Sequence, residues 1–254
     1  MRPAADLGVR HAGGTLLVHH QNNGDSDVSN LRTWISRHRL AWGLIVVVLF
    51  ALLRAAQTLA WRQGFGALDF PTSWPFTVFL LLWFVILAVV LVGGGLVWLP
   101  CVTWVQLGWR RSGLLKAIGW GVLGFVLLYL NVIVWAVFKG ATAQPALLAP
   151  SPWRLALVVF FAFGIAAWVE ENLYRGYLQP LLVGRFGLPV AVVVQAALFA
   201  LAHLGYYRQA LDFGMAFVAG LILGWLRKRD GSLVAPYVAH GLFWLMAAFM
   251  AVAA

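Results

Sequence analysis

Charged residues are scarce in this 254-residue chain. Asp, Glu, Lys and Arg make up 10% of it and apolar residues 63%, whereas a soluble domain has roughly 25% charged and 45–50% apolar residues. This composition argues against a water-soluble domain and against a disordered chain. The chain contains one cysteine, Cys101, which has no partner for a disulfide within the chain. A disulfide-stabilised scaffold is therefore excluded as well.

Long apolar runs dominate what is present. Several reach about 20 residues, the length that a helix needs to cross the hydrocarbon core of a bilayer. The sequence predicts an all-α, polytopic bundle of about seven to eight membrane helices, with seven as the working count. The predicted spans are residues 40–61, 75–99, 114–138, 155–170, 188–204, 210–226 and 232–253.

The first 39 residues have a different character. They contain no apolar run long enough for a signal peptide, and residues 19–25 are almost entirely polar. We expect a disordered tail over 1–39, membrane helices over 40–152 and a functional core over 153–254. The prolines Pro145, Pro150 and Pro152 mark the longest loop between the spans.

Basic residues indicate the orientation, because Lys and Arg collect in cytoplasmic loops. With seven spans, thirteen fall on the side of the N-terminus and four on the other side, with Arg54 left out because it lies inside the first span. This distribution predicts a cytoplasmic N-terminus in a plasma or prokaryotic inner membrane, and it fits a lipid partner better than a nucleic acid. The thirteen are Arg2, Arg10, Arg32, Arg37, Arg39, Arg110, Arg111, Lys116, Arg175, Arg185, Arg227, Lys228 and Arg229.

Ionisable groups inside the spans are few and costly, so they are the first candidates for function. The chain has only two glutamates, the neighbours Glu170 and Glu171, and only two histidines outside the tail, His203 and His240. Glu171 and Arg175 are four residues apart in the favoured order for a helical ion pair. Glu170 projects about 100° away from Glu171 and has no basic residue on its own face, so its partner should come from another helix.

Helix geometry supports a meeting of Glu170 and His203. If the helix turns at Phe186 and Gly187, each residue lies 16 positions from the turn, which places both about 24 Å from it. Pro180 should kink the first of these helices. His240 reaches the same depth only if the Glu170 helix extends beyond the membrane.

One carboxylate and two imidazoles allow two kinds of hydrolysis. The carboxylate can take a proton from a water oriented by one histidine, while the other stabilises the oxyanion. Alternatively, the three side chains can bind a catalytic zinc ion, since two His and one Glu form a known ligand set. The sequence leaves both open, so the cofactor is either none or a divalent metal such as zinc.

Three motifs occur in order in this region: Glu170-Glu171-x-x-x-Arg175, Phe199-x-x-x-His203 and residues 224–240. They resemble the motifs of the CAAX-processing and bacteriocin-processing (CPBP, or Abi) family of intramembrane proteases, which includes the Ras-converting type CAAX proteases. The resemblance covers about residues 153–250. It implies a protease that activates water with Glu170 and His203 and stabilises the oxyanion with His240, supported by Glu171 and Arg175.

The resemblance departs from the family pattern at Trp244, where the family has an asparagine four residues after the histidine. An asparagine donates to the oxyanion, and loss of such a donor costs about 2.7 to 4 kcal/mol. The indole N–H of Trp244 is also a donor, but it is bulkier. With this departure noted, the resemblance implies an endopeptidase acting near the C-terminus of a membrane-associated protein or peptide. The alternative is a non-catalytic immunity or scaffold protein of the same fold.

Overall fold

A computed structural model describes residues 23–64, 82–110, 112–140, 152–203 and 210–251. Within these ranges the chain forms nine helices and no strands, which confirms the all-α prediction. The helices are α1 Asn23–Arg37, α2 Arg39–Gly64, α3 Leu82–Trp98, α4 Trp104–Leu107, α5 Leu114–Phe138, α6 at 152–186, α7 Leu188–Leu201, α8 Ala210–Asp230 and α9 Val234–Ala251.

Three of the described helices are long and apolar enough to cross a membrane: Arg39–Gln57 in α2, Leu114–Phe138, and Leu155–Phe186 in α6. Leu82–Trp98, Leu188–Leu201 and Val234–Ala247 are apolar but shorter. A helix of 17 residues reaches about 26 Å, slightly less than the roughly 30 Å of the hydrocarbon core. An integral membrane protein is supported, whereas the expected count of seven to eight crossings is not confirmed.

Part of the expected tail differs from that expectation. Residues 23–37 form helix α1, while residues 1–22 lie outside the described part of the chain. The physical reason is an apolar stripe at helical spacing, formed by Val28, Leu31 and Ile35. Ile35 is fully buried, so this stripe anchors the helix to the rest of the bundle.

Helix α6 is the longest element and combines α-helical and π-helical segments. Its π-helical parts are Phe160–Ala166 and Asn172–Leu178, separated by the α-helical turn Ala167–Glu171. The 32 residues of Leu155–Phe186 span about 48 Å, so the helix is long enough to extend beyond the hydrocarbon core. A helix of this length meets the condition set above, that His240 reaches the depth of Glu170 only if the Glu170 helix extends beyond the membrane.

The turn predicted after Phe186 is confirmed. Helix α6 ends at Phe186, Gly187 adopts a φ of +79°, and α7 begins at Leu188. Only glycine adopts such a φ without strain, which explains the residue at this position. Pro180 lies within α6 directly after the second π-helical segment, where its missing N–H would interrupt the regular hydrogen-bond ladder.

The C-terminal helices and α5 form one packed core. Helix α5 packs against both α8 and α9, α7 packs against α8, and α2 lies along the second π-helical segment of α6. The outer face of α5 exposes large apolar side chains, including Leu115, Val137 and Phe138. Such a face suits contact with lipid tails better than contact with water. The boundary expected near residue 152 stays a prediction, since residues 141–151 lie outside the described part.

Candidate functional site

The two glutamates lie on the short α-helical turn between the π-helical segments of α6. Glu170 and Glu171 are both fully buried. π-helical turns widen a helix locally and are frequent at functional sites. The backbone is irregular on both sides of this carboxylate pair, whereas the π-helical segment Ala88–Trp98 in α3 contains no ionisable residue.

Glu170 faces two imidazoles that come from different parts of the fold. Its Oε2 atom lies 3.9 Å from Nε2 of His203, in the turn after α7, and 3.7 Å from Nε2 of His240 in α9. The predicted meeting of these three side chains is therefore present in the structure. Both separations exceed a direct hydrogen bond, and one water molecule at about 2.8 Å can bridge such a gap.

Glu171 is held by two donors that share one of its oxygen atoms. Arg175 donates from Nη1 to Oε1 at 2.9 Å, as the spacing of four residues predicted. His240 approaches the same oxygen with Nδ1 at 2.7 Å. Glu171 therefore connects the buried guanidinium to the imidazole that faces Glu170. Arg175 is fully buried within α6, so it is not a loop residue, and the orientation predicted from charge rests on twelve basic residues rather than thirteen.

The hydrogen-bond partners of His203 and His240 determine which nitrogen of each neutral ring carries the proton. Nδ1 of His203 lies 2.7 Å from the carbonyl oxygen of Phe199, and Nδ1 of His240 lies next to the carboxylate of Glu171. Because both partners only accept hydrogen bonds, each Nδ1 must be the protonated nitrogen. In the neutral rings, both Nε2 atoms are therefore acceptors directed toward Glu170.

The carboxylate of Glu170 is unusual because neither of its buried oxygens has a hydrogen-bond partner among the described residues. A buried carboxylate without a donor is costly, and such groups are rare outside functional sites. Glu171, one residue away and equally buried, has two donors on one of its oxygens. The two neighbours therefore differ: Glu171 is held by two donors, whereas both oxygens of Glu170 are without one among the described residues.

An apolar cavity of about 240 Å³ opens beside the two imidazoles. Its walls come mainly from α5, α8 and α9, with Leu128, Leu223 and Phe243 among the lining residues. Asn131 also borders the cavity, but its amide is used, because Nδ2 donates to the carbonyl of Met215 and Oδ1 accepts from Trp135. The cavity can therefore receive an apolar group and bring it next to His203 and His240.

Trp244 lines the same cavity. Its ring stacks beside that of His240 at 6.5 Å between centroids with an interplanar angle of 25°. The indole Nε1 is buried and has no hydrogen-bond partner within the described ranges. Trp244 therefore offers an unused donor close to the second imidazole, in the position where the resembling family has an asparagine.

Among residues 23–64, 82–110, 112–140, 152–203 and 210–251, no group of three or more His, Cys, Asp and Glu side chains that could hold a metal ion is found. The reaction proposed below uses Glu170, His203 and His240 themselves.

Some contacts around the site were not predicted from the sequence, although Phe199 belongs to the second motif. Phe199 packs under the guanidinium of Arg175, with Cζ 4.4 Å from its ring centroid, and meets the His240 ring edge-on at 5.8 Å. Arg54 is buried, donates to Gln57 at 2.8 Å and lies over the ring of Phe84. These contacts join segments far apart in the sequence, so helical spacing alone could not predict them.

Comparison with known proteins gives a match in the region of the chain that holds the site. No curated protein and no solved structure matches the sequence. Residues 152–246 do match a family model described as Type II CAAX prenyl endopeptidase Rce1-like, so the family resemblance drawn from the three motifs is confirmed for this C-terminal part of the chain.

Proposed function

We propose that the protein is an intramembrane endopeptidase that hydrolyses a peptide bond near the C-terminus of a membrane-associated protein or peptide. The match to the Rce1-like family model supports a membrane endopeptidase in general terms. The observation that carries the specific proposal is the buried carboxylate of Glu170, which has no donor among the described residues and faces two imidazole nitrogens. A structural carboxylate at this depth would need donors, whereas a base that holds a water would not.

The proposed reaction begins with a water molecule between Glu170 and His203. This water donates one hydrogen to Glu170 Oε2 and the other to Nε2 of His203. Its oxygen attacks the carbonyl carbon of the substrate while Glu170 takes the first proton. The carbon–nitrogen bond then breaks, and the proton held by Glu170 passes to the leaving amine. Water is consumed, a carboxyl group and an amine are formed, and no covalent acyl-enzyme is needed.

His240 is proposed to stabilise the oxyanion formed during this attack. The carboxylate of Glu171 lies next to Nδ1 of His240 and would stabilise a positive charge on the ring during the reaction. In the protonated ring Nδ1 donates to Glu171, and Nε2–H is a donor toward the developing negative charge. The partner Glu171 is thus connected to the chemistry through the orientation and charge of His240.

The partners follow from the same placement. The exposed apolar faces of the helices fit a lipid bilayer, and the apolar cavity beside the imidazoles fits the apolar part of a membrane-associated peptide. The distribution of basic residues supports a cytoplasmic N-terminus in a plasma or prokaryotic inner membrane, with the site reached from the cytoplasmic side.

The proposal is tested by comparing the C-termini of membrane proteins in cells that express the wild-type protein or Glu170→Ala. We expect mass spectrometry to detect shortened C-termini only with the wild type. Equal amounts of both proteins in the membrane fraction are the control. Identical sets of C-termini would contradict the enzyme proposal and favour the second candidate, a non-catalytic scaffold or immunity protein. Trp244 is the observation that favours this second candidate, because it replaces the usual oxyanion donor.

Trp244→Phe tests whether the indole N–H takes part in the proposed reaction. If the buried indole N–H donates to the oxyanion, its loss should lower kcat by about 10²- to 10³-fold with the aromatic ring still in place. Trp244→Asn should retain a donor and keep activity within about tenfold of the wild type. The measurement is kcat on a peptide identified from the shortened C-termini. Equal kcat values for Trp244→Phe and the wild type would show that the indole N–H has no part in the reaction.

A further inference from the structure

One backbone carbonyl on α8 lies at the junction of the helices that form the site. The carbonyl oxygen of Gly220 accepts from Nη2 of Arg175 at 3.4 Å and from Nε2 of Gln195 at 2.8 Å. Arg175 belongs to α6, which holds both glutamates, and Gln195 belongs to α7, which leads directly into His203. Two helices that position the reacting groups are thus joined to the same atom of a third helix.

Close packing makes this junction rigid. A Cβ atom on Gly220 would lie 2.8 Å from both Cα and Cβ of Ala196, so α7 and α8 are in direct backbone contact here. Gln195 is fully buried, and its amide nitrogen also donates to the carbonyl of Val192 on its own helix at 3.0 Å. The side chain of Gln195 therefore links α7 to α8 without room for an alternative arrangement.

From this junction a continuous path reaches the second imidazole. Gly220 holds one end of Arg175, Arg175 donates to Glu171, and Glu171 accepts from His240. The backbone carbonyl of Arg175 is held as well, by Nε of Arg227 from α8 at 3.2 Å. Each member of this path is buried or half-buried, so water competes little for the hydrogen bonds.

We propose that Gln195 is a positioning residue for the hydrolysis, because its bond to the Gly220 carbonyl fixes α7 and His203 relative to Arg175, Glu171 and Glu170 on α6. Gln195 touches neither the reacting groups nor the cavity, so it acts only through the placement of His203. This inference rests on the proposed function for its kinetic consequence, but the junction itself can be tested without any activity.

Gln179 provides a matched control. It is also a buried glutamine, and its Nε2 donates to the carbonyl of Gly224 on α8 at 3.0 Å, one helical turn from Gly220. Its bond joins α6 to α8, does not involve α7, and shares no acceptor with Arg175. Replacing either glutamine by methionine keeps the length of the side chain and removes the donor.

The kinetic test compares Gln195→Met and Gln179→Met with the wild type. We expect Gln195→Met to lower kcat by at least about tenfold, since a misplacement of about 1 Å at a reacting group costs on the order of 100-fold. KM should stay within about twofold, and Gln179→Met should retain kcat within about threefold. An unchanged kcat in Gln195→Met, or equal losses in the two variants at equal thermal stability, would overturn the proposal.

The second measurement does not depend on catalysis. Spin labels are placed at the exposed positions Phe160 and Leu201 in a Cys101→Ser background, and the distance between them is measured by electron resonance. We expect a broader distance distribution in Gln195→Met than in the wild type and no broadening in Gln179→Met. Unchanged distributions in both variants would contradict the proposal that Gln195 fixes α7 relative to α6. If the wild type shows no hydrolysis while Gln195→Met broadens the distribution, the proposed function fails and the junction stands.

Discussion

Glu170→Gln is expected to reduce hydrolysis by about 10²- to 10⁴-fold, the range that a general base contributes. Glutamine has nearly the same size as glutamate but cannot accept the proton of the attacking water. KM should change little, because Glu170 contacts the water rather than the bulk of the substrate. The measurement is kcat and KM of purified variants on a peptide cleaved by the wild type.

Stability provides an independent expectation for the same variant. Because neither buried oxygen of Glu170 has a donor among the described residues, an amide in its place removes a buried charge. We therefore expect Glu170→Gln to have a free energy of unfolding equal to or higher than that of the wild type. Replacing a strained active-site residue commonly raises the stability of a protein while its activity is lost.

Glu171→Gln is the matched control, since Glu171 is the adjacent residue and is equally buried. Its carboxylate accepts from Arg175 and His240, so this variant should lose stability as well as activity. The two neighbouring substitutions are thus predicted to have opposite effects on the free energy of unfolding. Full activity in Glu170→Gln, or a loss of stability equal to that of Glu171→Gln, would contradict the role given to Glu170.

The sequence predicted the local parts of the site better than its supporting framework. The pairing of Glu171 with Arg175 follows from helical spacing, and the approach of Glu170 to His203 follows from equal distances to the turn at Gly187. The first depends only on helical periodicity, and the second also assumes that α6 and α7 form an antiparallel hairpin about Gly187. Both could therefore be derived without knowledge of how the other helices pack.

Contacts to backbone atoms could not be derived in this way. The carbonyl of Gly220 joins Arg175 and Gln195, yet every residue has a carbonyl, so the sequence contains no sign of which one is used. The π-helical segments on either side of Glu170 and Glu171 also have no simple sequence signature. The same holds for the count of membrane crossings, because Leu82–Trp98 and Leu188–Leu201 are apolar but short.

Arg175→Met is expected to produce the largest loss of stability in the molecule. Arg175 and Glu171 form an ion pair in which both side chains are fully buried. Removing one partner of such a pair leaves an uncompensated charge and costs about 3 to 5 kcal/mol. The substitution also removes the bond to the Gly220 carbonyl and the cationic partner of the Phe199 ring. The free energy of unfolding in detergent micelles is the quantity to measure.

The double variant Glu171→Gln/Arg175→Met identifies the cause of this loss. If the unpaired carboxylate is responsible, the double variant should be more stable than Arg175→Met alone, because the remaining charge is removed together with its partner. If packing of the guanidinium against Phe199 is responsible, the loss of stability in the double variant should equal the sum of the losses in Glu171→Gln and Arg175→Met. We expect the first result, since the aliphatic chain of methionine fills much of the same space but cannot replace the positive charge that pairs with Glu171. Activity should be low in all three variants, because each removes the fixed carboxylate or the cation that holds it, and His240 then loses the partner that orients its ring toward Glu170.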